Sequence, residues 1–340
     1  MSDQPNPPHK FGIVGILGRP NVGKSTLLNR VLGQKIAIAT PKPQTTRDRI
    51  KGIRTFDGWQ VVWVDTPGIH EPQTKLNRYM VELALGTVSD VDLCYVLVDA
   101  PKAIESAGRA QTEVDMAPIP APADPDAPPR SPDAETGDRI FDETRAIVSH
   151  VKAAGKKAFL VLNKIDKIAD KSLLFGVIER YAPLYDFAEI IPIAAKSSGN
   201  QSNVQSLLDA TKKHLPEGDP LFGADELTDR PMRFIAKEII REQVFMQLAQ
   251  ELPYSTAVDV MSWEEKGDGL VVLHANVHVA RKSHKPIVVG KGGAQIKAIG
   301  EKSRVILEKL LERKVYLDLR VKVDEDWTDR DDKLKALGYT

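Results

Sequence analysis

The sequence predicts an α/β domain with a doubly wound, mostly parallel sheet, followed by a smaller α+β domain. Three observations carry this. Apolar runs of strand length alternate with helically spaced stretches over residues 10–215. The Pro-, Gly- and Asp-rich stretch 216–231 (PEGDPLFGADELTDRP) then interrupts the rhythm. Beyond it the order becomes helix, strand, strand, helix, glycine turn, helix, strand.

Residues 1–9 read as a disordered tail. Residues 10–17 (KFGIVGIL) form a short apolar run that meets a glycine, as a buried strand does, and residues 24–32 continue with helical spacing. Further strands are predicted at 59–64, 93–99, 158–163 and 190–193. Residues 101–139 hold eight Pro, eight Ala and eight acidic residues with almost no large apolar side chains. Such a composition cannot offset its ordering entropy, so the segment reads as a disordered surface insertion after the 93–99 strand. Residues 216–231 read as an interdomain linker. A helix follows with Ile235, Ile239, Ile240, Val244 and Leu248 on one broad face. Strands at 254–263 and 270–280 flank the hairpin turn Lys266-Gly267-Asp268-Gly269, and Val271, Leu273, Ala275, Val277 and Val279 alternate onto one face. A helix at 294–311 and a strand at 315–323 close the second domain, placed at 232–325, and 326–340 reads as a C-terminal tail.

Composition excludes several classes. The 340 residues are 42% hydrophobic and 28% charged, which is globular rather than disordered. Cys94 is the sole cysteine, so a disulfide framework and a multi-cysteine zinc site are excluded; it lies in an apolar strand and reads as an inert core residue. No run of 18 apolar residues occurs, and the polar N-terminus lacks the apolar core of a signal peptide, so a reducing cytoplasm is expected. Net charge is zero, yet residues 281–322 carry 12 Lys/Arg against 4 Asp/Glu, and residues 324–332 carry six acids against one Arg. The basic excess points towards a polyanion.

Gly18-Arg-Pro-Asn-Val-Gly23-Lys24-Ser25 satisfies G-x-x-x-x-G-K-[ST] between a strand and a helix. Glycines let successive backbone N–H groups wrap a phosphate, and the helix adds its positive dipole end. Asn21, Val22, Gly23, Lys24, Ser25 and Thr26 are the candidate binding residues here. Lys24 would neutralise the β/γ-phosphates and the Ser25 hydroxyl would ligate Mg²⁺. Asp65-Thr66-Pro67-Gly68 ends the next strand: Asp65 can hold Mg²⁺ through a water and the Gly68 N–H can reach the γ-phosphate. Asn163-Lys164-Ile165-Asp166 ends another strand. A buried Asp166 carboxylate would accept from guanine N1–H and N2–H₂ and penalise adenine, Lys164 would cover the base, and Asn163 would brace the pocket.

Together these motifs resemble the GTPase family of P-loop NTPases over residues 10–215. The resemblance implies GTP/GDP as ligand with Mg²⁺, and a threonine that closes on the metal, with Thr46 the candidate and Thr45 the fallback. Lys24, Thr46 and Gly68 form the candidate catalytic set, and Ser25, Thr46 and Asp65 the metal set. Ala194-Ala195-Lys196 matches the family's guanine loop, where the Ala195 N–H would meet guanine O6; Ala194 replaces the usual serine. Ile69 stands where some GTPases carry a water-orienting glutamine, so slow intrinsic hydrolysis is expected. Asn21 is similar to an asparagine that binds K⁺ in some relatives.

Gly290-Lys291-Gly292-Gly293 resembles the G-x-x-G loop of a KH domain, and the element order matches the type II arrangement. The resemblance implies RNA binding through Lys285, Ile287, Gly290, Lys291, Gly292, Gly293 and Ile296, with Ile287, Val288 and Ile296 flooring an apolar groove. His274 and His278 share a strand face and receive no role. A GTPase domain with an appended type II KH domain is similar to bacterial ribosome-assembly GTPases. Pro43-Gln-Thr-Thr-Arg47, Glu251-Leu-Pro-Tyr-Ser255 and Leu337-Gly-Tyr339 match their pattern. That resemblance implies a monomer that binds 16S ribosomal RNA near its 3′ end, assists 30S subunit maturation and touches the inner membrane peripherally. A tRNA-modification GTPase and a GTP-regulated RNA-binding scaffold are the alternatives.

Overall fold

The computed structural model describes residues 9–116, 137–198, 202–249, 251–267 and 269–339, with no side-chain account of 109–116 and 137–138. The predicted tail before residue 9, the middle of the predicted insertion (117–136) and Asp268 of the predicted hairpin turn lie outside the described residues.

The first domain is built on β1 (Lys10–Gly18), β2 (Ile50–Phe56), β3 (Trp59–Asp65), β4 (Leu93–Asp99), β5 (Lys157–Asn163) and β6 (Glu189–Pro192). Their order is β2-β3-β1-β4-β5-β6, with every pairing parallel except β2 with β3. β4 is buried throughout, because helices cover both faces of the sheet. β2 escapes the sequence reading because IKGIRTF mixes charge with apolar residues and forms a half-buried edge. The helices are α1 (Lys24–Leu32), α2 (Lys75–Gly86), α3 (Ala100–Met116), α4 (Gly137–Ala153), α5 (Leu173–Tyr181) and α6 (Val204–His214).

Three expectations are corrected. Residues 101–139 are not structureless at their ends, since α3 and the start of α4 occupy them. The prolines that set the composition cluster at 118–132, whereas 102–116 are mostly helix formers and Pro101 falls in a first turn, where its missing N–H does no harm. Ala100, Ala103 and Ser106 of α3 are buried. The stretch 216–231 is no free tether. The N–H of Phe11 donates to Pro216 O (3.1 Å) and that of Gly218 to His9 O (3.0 Å). The buried Gln60 side chain accepts from the N–H groups of Leu221 and Phe222, and the Ile53 N–H donates to Leu227 O. The predicted tail 326–340 is no loose segment over its described residues, 326–339, either. Trp327, Leu334, Leu337 and Tyr339 are buried against Leu76 and Met80 of α2, with a last short helix, α10 (Asp331–Ala336), between them. Four apolar side chains spaced among acids outweigh the charge that made the segment look solvated.

The second domain has α7 (Met232–Gln247), β7 (Thr256–Glu265), β8 (Val271–Val279), α8 (His284–Val289), α9 (Ala294–Leu311) and β9 (Val315–Val323). β8 is central, antiparallel to β7 and parallel to β9. Its apolar stripe packs with Ile235, Ile239, Ile240 and Val244 of α7 and Ile299 and Leu307 of α9. The Glu238–Arg241 ion pair is enclosed within α7. His278 faces Asp324 and His274 faces Asp318, so both histidines have structural partners. Burial pushes the Cys94 thiol up to about 12, in keeping with an inert core residue.

Candidate functional site

The carboxyl ends of β1, β3 and β5 converge on one edge of the sheet, where an open α/β fold places its ligand. Ile16 of β1 pairs with Asp65 of β3, and Asp99 of β4 with Asn163 of β5, so the register brings all three sequence motifs to one crevice.

The phosphate loop is held by Asn163. Its Nδ2 donates to Val22 O (2.8 Å), while its Oδ1 accepts from Lys164 N (2.8 Å) and Ala195 N (3.1 Å). One buried amide thus ties the loop at Val22 to the Ala194-Ala195-Lys196 loop. Gly23 has φ +102°, and a Cβ there would stand 2.3 Å from Asn163 Nδ2, so glycine is required twice over. A Cβ on Gly68 would meet Pro20 at 2.7 Å, which lets the two loops press together. Lys24 is buried, its Nζ donating to Gly18 O (3.0 Å) and Arg19 O (2.9 Å), and burial lowers its pKa to about 8.

Ser25 Oγ donates to Asp65 Oδ2 (2.6 Å) and lies 2.8 Å from Thr46 Oγ1, which in turn donates to Asp65 Oδ2 (3.3 Å). Thr46, not Thr45, meets the other two; the Thr45 hydroxyl turns back to Thr40 Oγ1 (2.6 Å) and Lys42 O (2.8 Å). Asp65 is wholly buried, its Oδ1 has no partner among the described residues, and burial raises its pKa to about 6. Three hard oxygen groups beside an unpartnered carboxylate oxygen fit Mg²⁺.

A cavity of about 730 Å³ opens here, lined by Asn21, Gly23, Lys24, Ser25, Thr26, Thr46, Gly68, Lys164 and Lys196. Its volume suits a nucleotide-sized ligand. Lys102 and Lys167 also line it, and the sequence reading missed both, since neither belongs to a motif. Asp166 is exposed in the turn after β5, so the expectation of a buried carboxylate is corrected: a base, not the protein, would have to exclude water from it. Lys164, in the left-handed region at φ +67°, donates to Asn21 O (2.6 Å) and pairs with Asp99. The Ala194-Ala195-Lys196 loop is held by main chain, Ala194 N donating to Ser202 O (2.9 Å). Asn21 Nδ2 donates to Pro41 O (2.9 Å), bracing the segment that precedes Thr46.

Two further side chains join the loops around the cavity. His70 Nδ1–H donates to Gly68 O (2.8 Å), which leaves Nε2 to accept from the Gln44 amide (2.9 Å). Burial lowers the His70 pKa, in keeping with this neutral tautomer.

In the second domain α8 and α9 meet at Gly290-Lys291-Gly292-Gly293. Gly290, Gly292 and Gly293 all have positive φ, and a Cβ on Gly290 would stand 2.8 Å from Gln295 N. Lys285, Lys291 and Ile287 are exposed, Ile287 by 53%, and Ile296 is half-buried. Val288 is fully buried in the core, so it does not floor a groove as expected; a six-residue helix must spend one side chain on its own anchoring.

Comparisons with known proteins agree with this geometry. A family model described as a 50S ribosome-binding GTPase matches residues 13–120, and one described as a KH domain matches residues 251–328. The chain is 46% identical over 331 residues to a GTPase Era of Trichlorobacter lovleyi, covering 97% of this chain and 98% of that one. It is 44% identical to a GTPase Era of Geobacter metallireducens, over the whole of both chains. A crystal structure of Era in complex with MgGDPNP and nucleotides 1506–1542 of 16S ribosomal RNA superposes with a TM-score of 0.81 at 34% identity, covering 98% of this chain and 99% of that one. A variant of Aquifex aeolicus Era bound to GDP and AlF4⁻ gives 0.80 at 34% identity, over 97% and 99% of the two chains. With relatives of that identity over its full length, and with the GTPase and KH folds in the same order, the chain belongs to the Era family of GTPases.

Proposed function

We propose that this GTPase is a switch whose output is RNA binding: it holds GTP·Mg²⁺ in the first domain and grips 16S ribosomal RNA near its 3′ end with the second, assisting maturation of the 30S subunit. The observation that carries the nucleotide half is the mutual contact of Ser25, Thr46 and Asp65 beside buried Lys24. These three would hold Mg²⁺, which when bound draws charge from the phosphate oxygens during hydrolysis. Lys24 neutralises the β/γ-phosphates, the Gly68 N–H meets the γ-phosphate, and Asp166, Lys164 and Ala195 select guanine. Ile69 is buried and apolar and cannot orient water, so turnover of the chain alone is slow. The RNA half rests on the exposed glycine turn, on its basic surroundings, and on the RNA carried by the similar Era complex.

Peripheral contact with the inner membrane and a K⁺ near Asn21 belong to the same reading. Among the described residues no helix is long and apolar enough to cross a membrane. Asn21 bridges the phosphate loop and Pro41, where a monovalent cation would lie beside the phosphates. Phosphate release from GTP by the purified chain tests the whole. Slow turnover, raised by RNA of the 16S 3′ end and faster in KCl than in NaCl, is expected. Turnover indifferent to RNA would leave only a nucleotide-holding scaffold, and equal rates in the two salts would remove K⁺.

A further inference from the structure

We infer that Arg47 is a positioning residue for GTP hydrolysis: planted in the KH domain, it holds Thr46 at the metal site. The inference rests on the role of Thr46 proposed above. Thr46 and Arg47 are chain neighbours whose side chains bond to different domains. Thr46 faces Ser25 and Asp65 in the first domain, and Arg47 faces the second.

The Arg47 guanidinium is enclosed, with the residue 2% exposed. Nη1 donates to Thr256 O (2.7 Å), and Nη2 to Tyr254 O (3.0 Å) and Pro253 O (3.3 Å). The guanidinium also lies 5.5 Å from the ring centroids of Phe245 on α7 and of Trp327 in the C-terminal segment. A planar fork reaches three carbonyls and two rings at once, which an ammonium cannot do. The same segment is fixed at other points. Lys42 Nζ donates to Phe245 O and Leu248 O at the end of α7, the Ala39 N–H donates to Glu242 Oε1 (3.2 Å), and Lys35 pairs with Glu242 (2.5 Å). The opposite side of this stretch, from Ile38 to Thr46, lines the nucleotide cavity. The KH domain therefore backs the wall that carries Thr46.

A guanosine diphosphate does not need that wall closed, whereas a triphosphate does, because Thr46 closes on the metal only beside a γ-phosphate. Loss of Arg47 should accordingly be felt selectively. Affinities of the full chain for a fluorescent non-hydrolysable GTP analogue and for fluorescent GDP, both with Mg²⁺, are measured for the parent, Arg47→Ala, Arg47→Lys and Thr46→Ala, together with kcat. Arg47→Ala is expected to lose about tenfold in triphosphate affinity and in kcat while GDP affinity stays within about twofold, from the loss of several charge-assisted bonds. Arg47→Lys, which keeps the charge without the fork, should fall between, the triphosphate again losing more than GDP, and reads out the same selectivity if the alanine variant melts. Equal losses for both nucleotides, or no loss, would reduce Arg47 to interdomain glue and overturn the inference. A Thr46→Ala chain with an unaltered triphosphate-to-diphosphate ratio would instead overturn the reading of Thr46 itself.

Discussion

Lys24→Ala is expected to lower GTP and GDP affinity by at least about a hundredfold, as removal of one partner from a buried charge pair does. In the structure the ammonium is buried against Gly18 O and Arg19 O, and its pKa falls to about 8 through burial, with Asp65 the opposing influence. A lysine so poorly solvated gains more from a phosphate than an exposed one would, because it has little hydration left to lose. Alanine would leave the β/γ-phosphates facing the loop's N–H groups alone. RNA affinity without nucleotide should stay within about threefold, since Lys24 Nζ bonds to Gly18 O and Arg19 O and lines a cavity formed by first-domain residues. Calorimetric titration with each nucleotide and a filter-binding assay with RNA check the two halves. Unchanged GTP binding would reject the phosphate-loop assignment.

The second large effect concerns RNA. Lys291→Asp combined with Gly292→Asp is expected to weaken RNA binding by at least about a hundredfold, because two acids replace a cation where the phosphates pass. The double variant should remain folded for three reasons. Lys291 is exposed, and a Cβ on Gly292 meets nothing within 4 Å. Gly292 has φ +60°, a conformation that Asp tolerates better than most residues. Acids at the start of α9 also favour its dipole. Circular dichroism reports the fold and an electrophoretic shift the RNA. A persistent shift in a folded double variant would place the RNA groove elsewhere.

Much of this was legible in the sequence where backbone geometry leaves one choice. Gly23, Lys24 and Ser25 announce the phosphate loop because no Cβ fits beside Asn163 and no other side chain supplies that charge. β4 and α9 run over the residues predicted for them, since burial on both faces of β4 and a glycine cap before α9 leave plain marks. What stayed hidden depends on partners distant in the chain. Nothing local to Trp327 or Tyr339 says that α2 will cover them. Arg47 looks like any switch-segment arginine until the carbonyls of residues 253–256 appear around it. Residues 101–139 misled because one composition was averaged over a helical start and a proline-rich middle. Asp166 was expected to be buried, yet a turn directly after a strand end projects its side chain to solvent.

The two halves meet through the wall that bears Thr46 on one side and Arg47 on the other. If GTP tightens the grip on RNA, RNA must tighten the grip on GTP by the same factor. The most direct measurement is the affinity of the full chain for a 16S 3′-end RNA, titrated once with a non-hydrolysable GTP analogue and Mg²⁺ and once with GDP and Mg²⁺. Binding at least about fivefold tighter in the triphosphate state is the expected result, within the usual range of such couplings. Equal affinities in the two states would contradict a GTP-controlled grip on RNA.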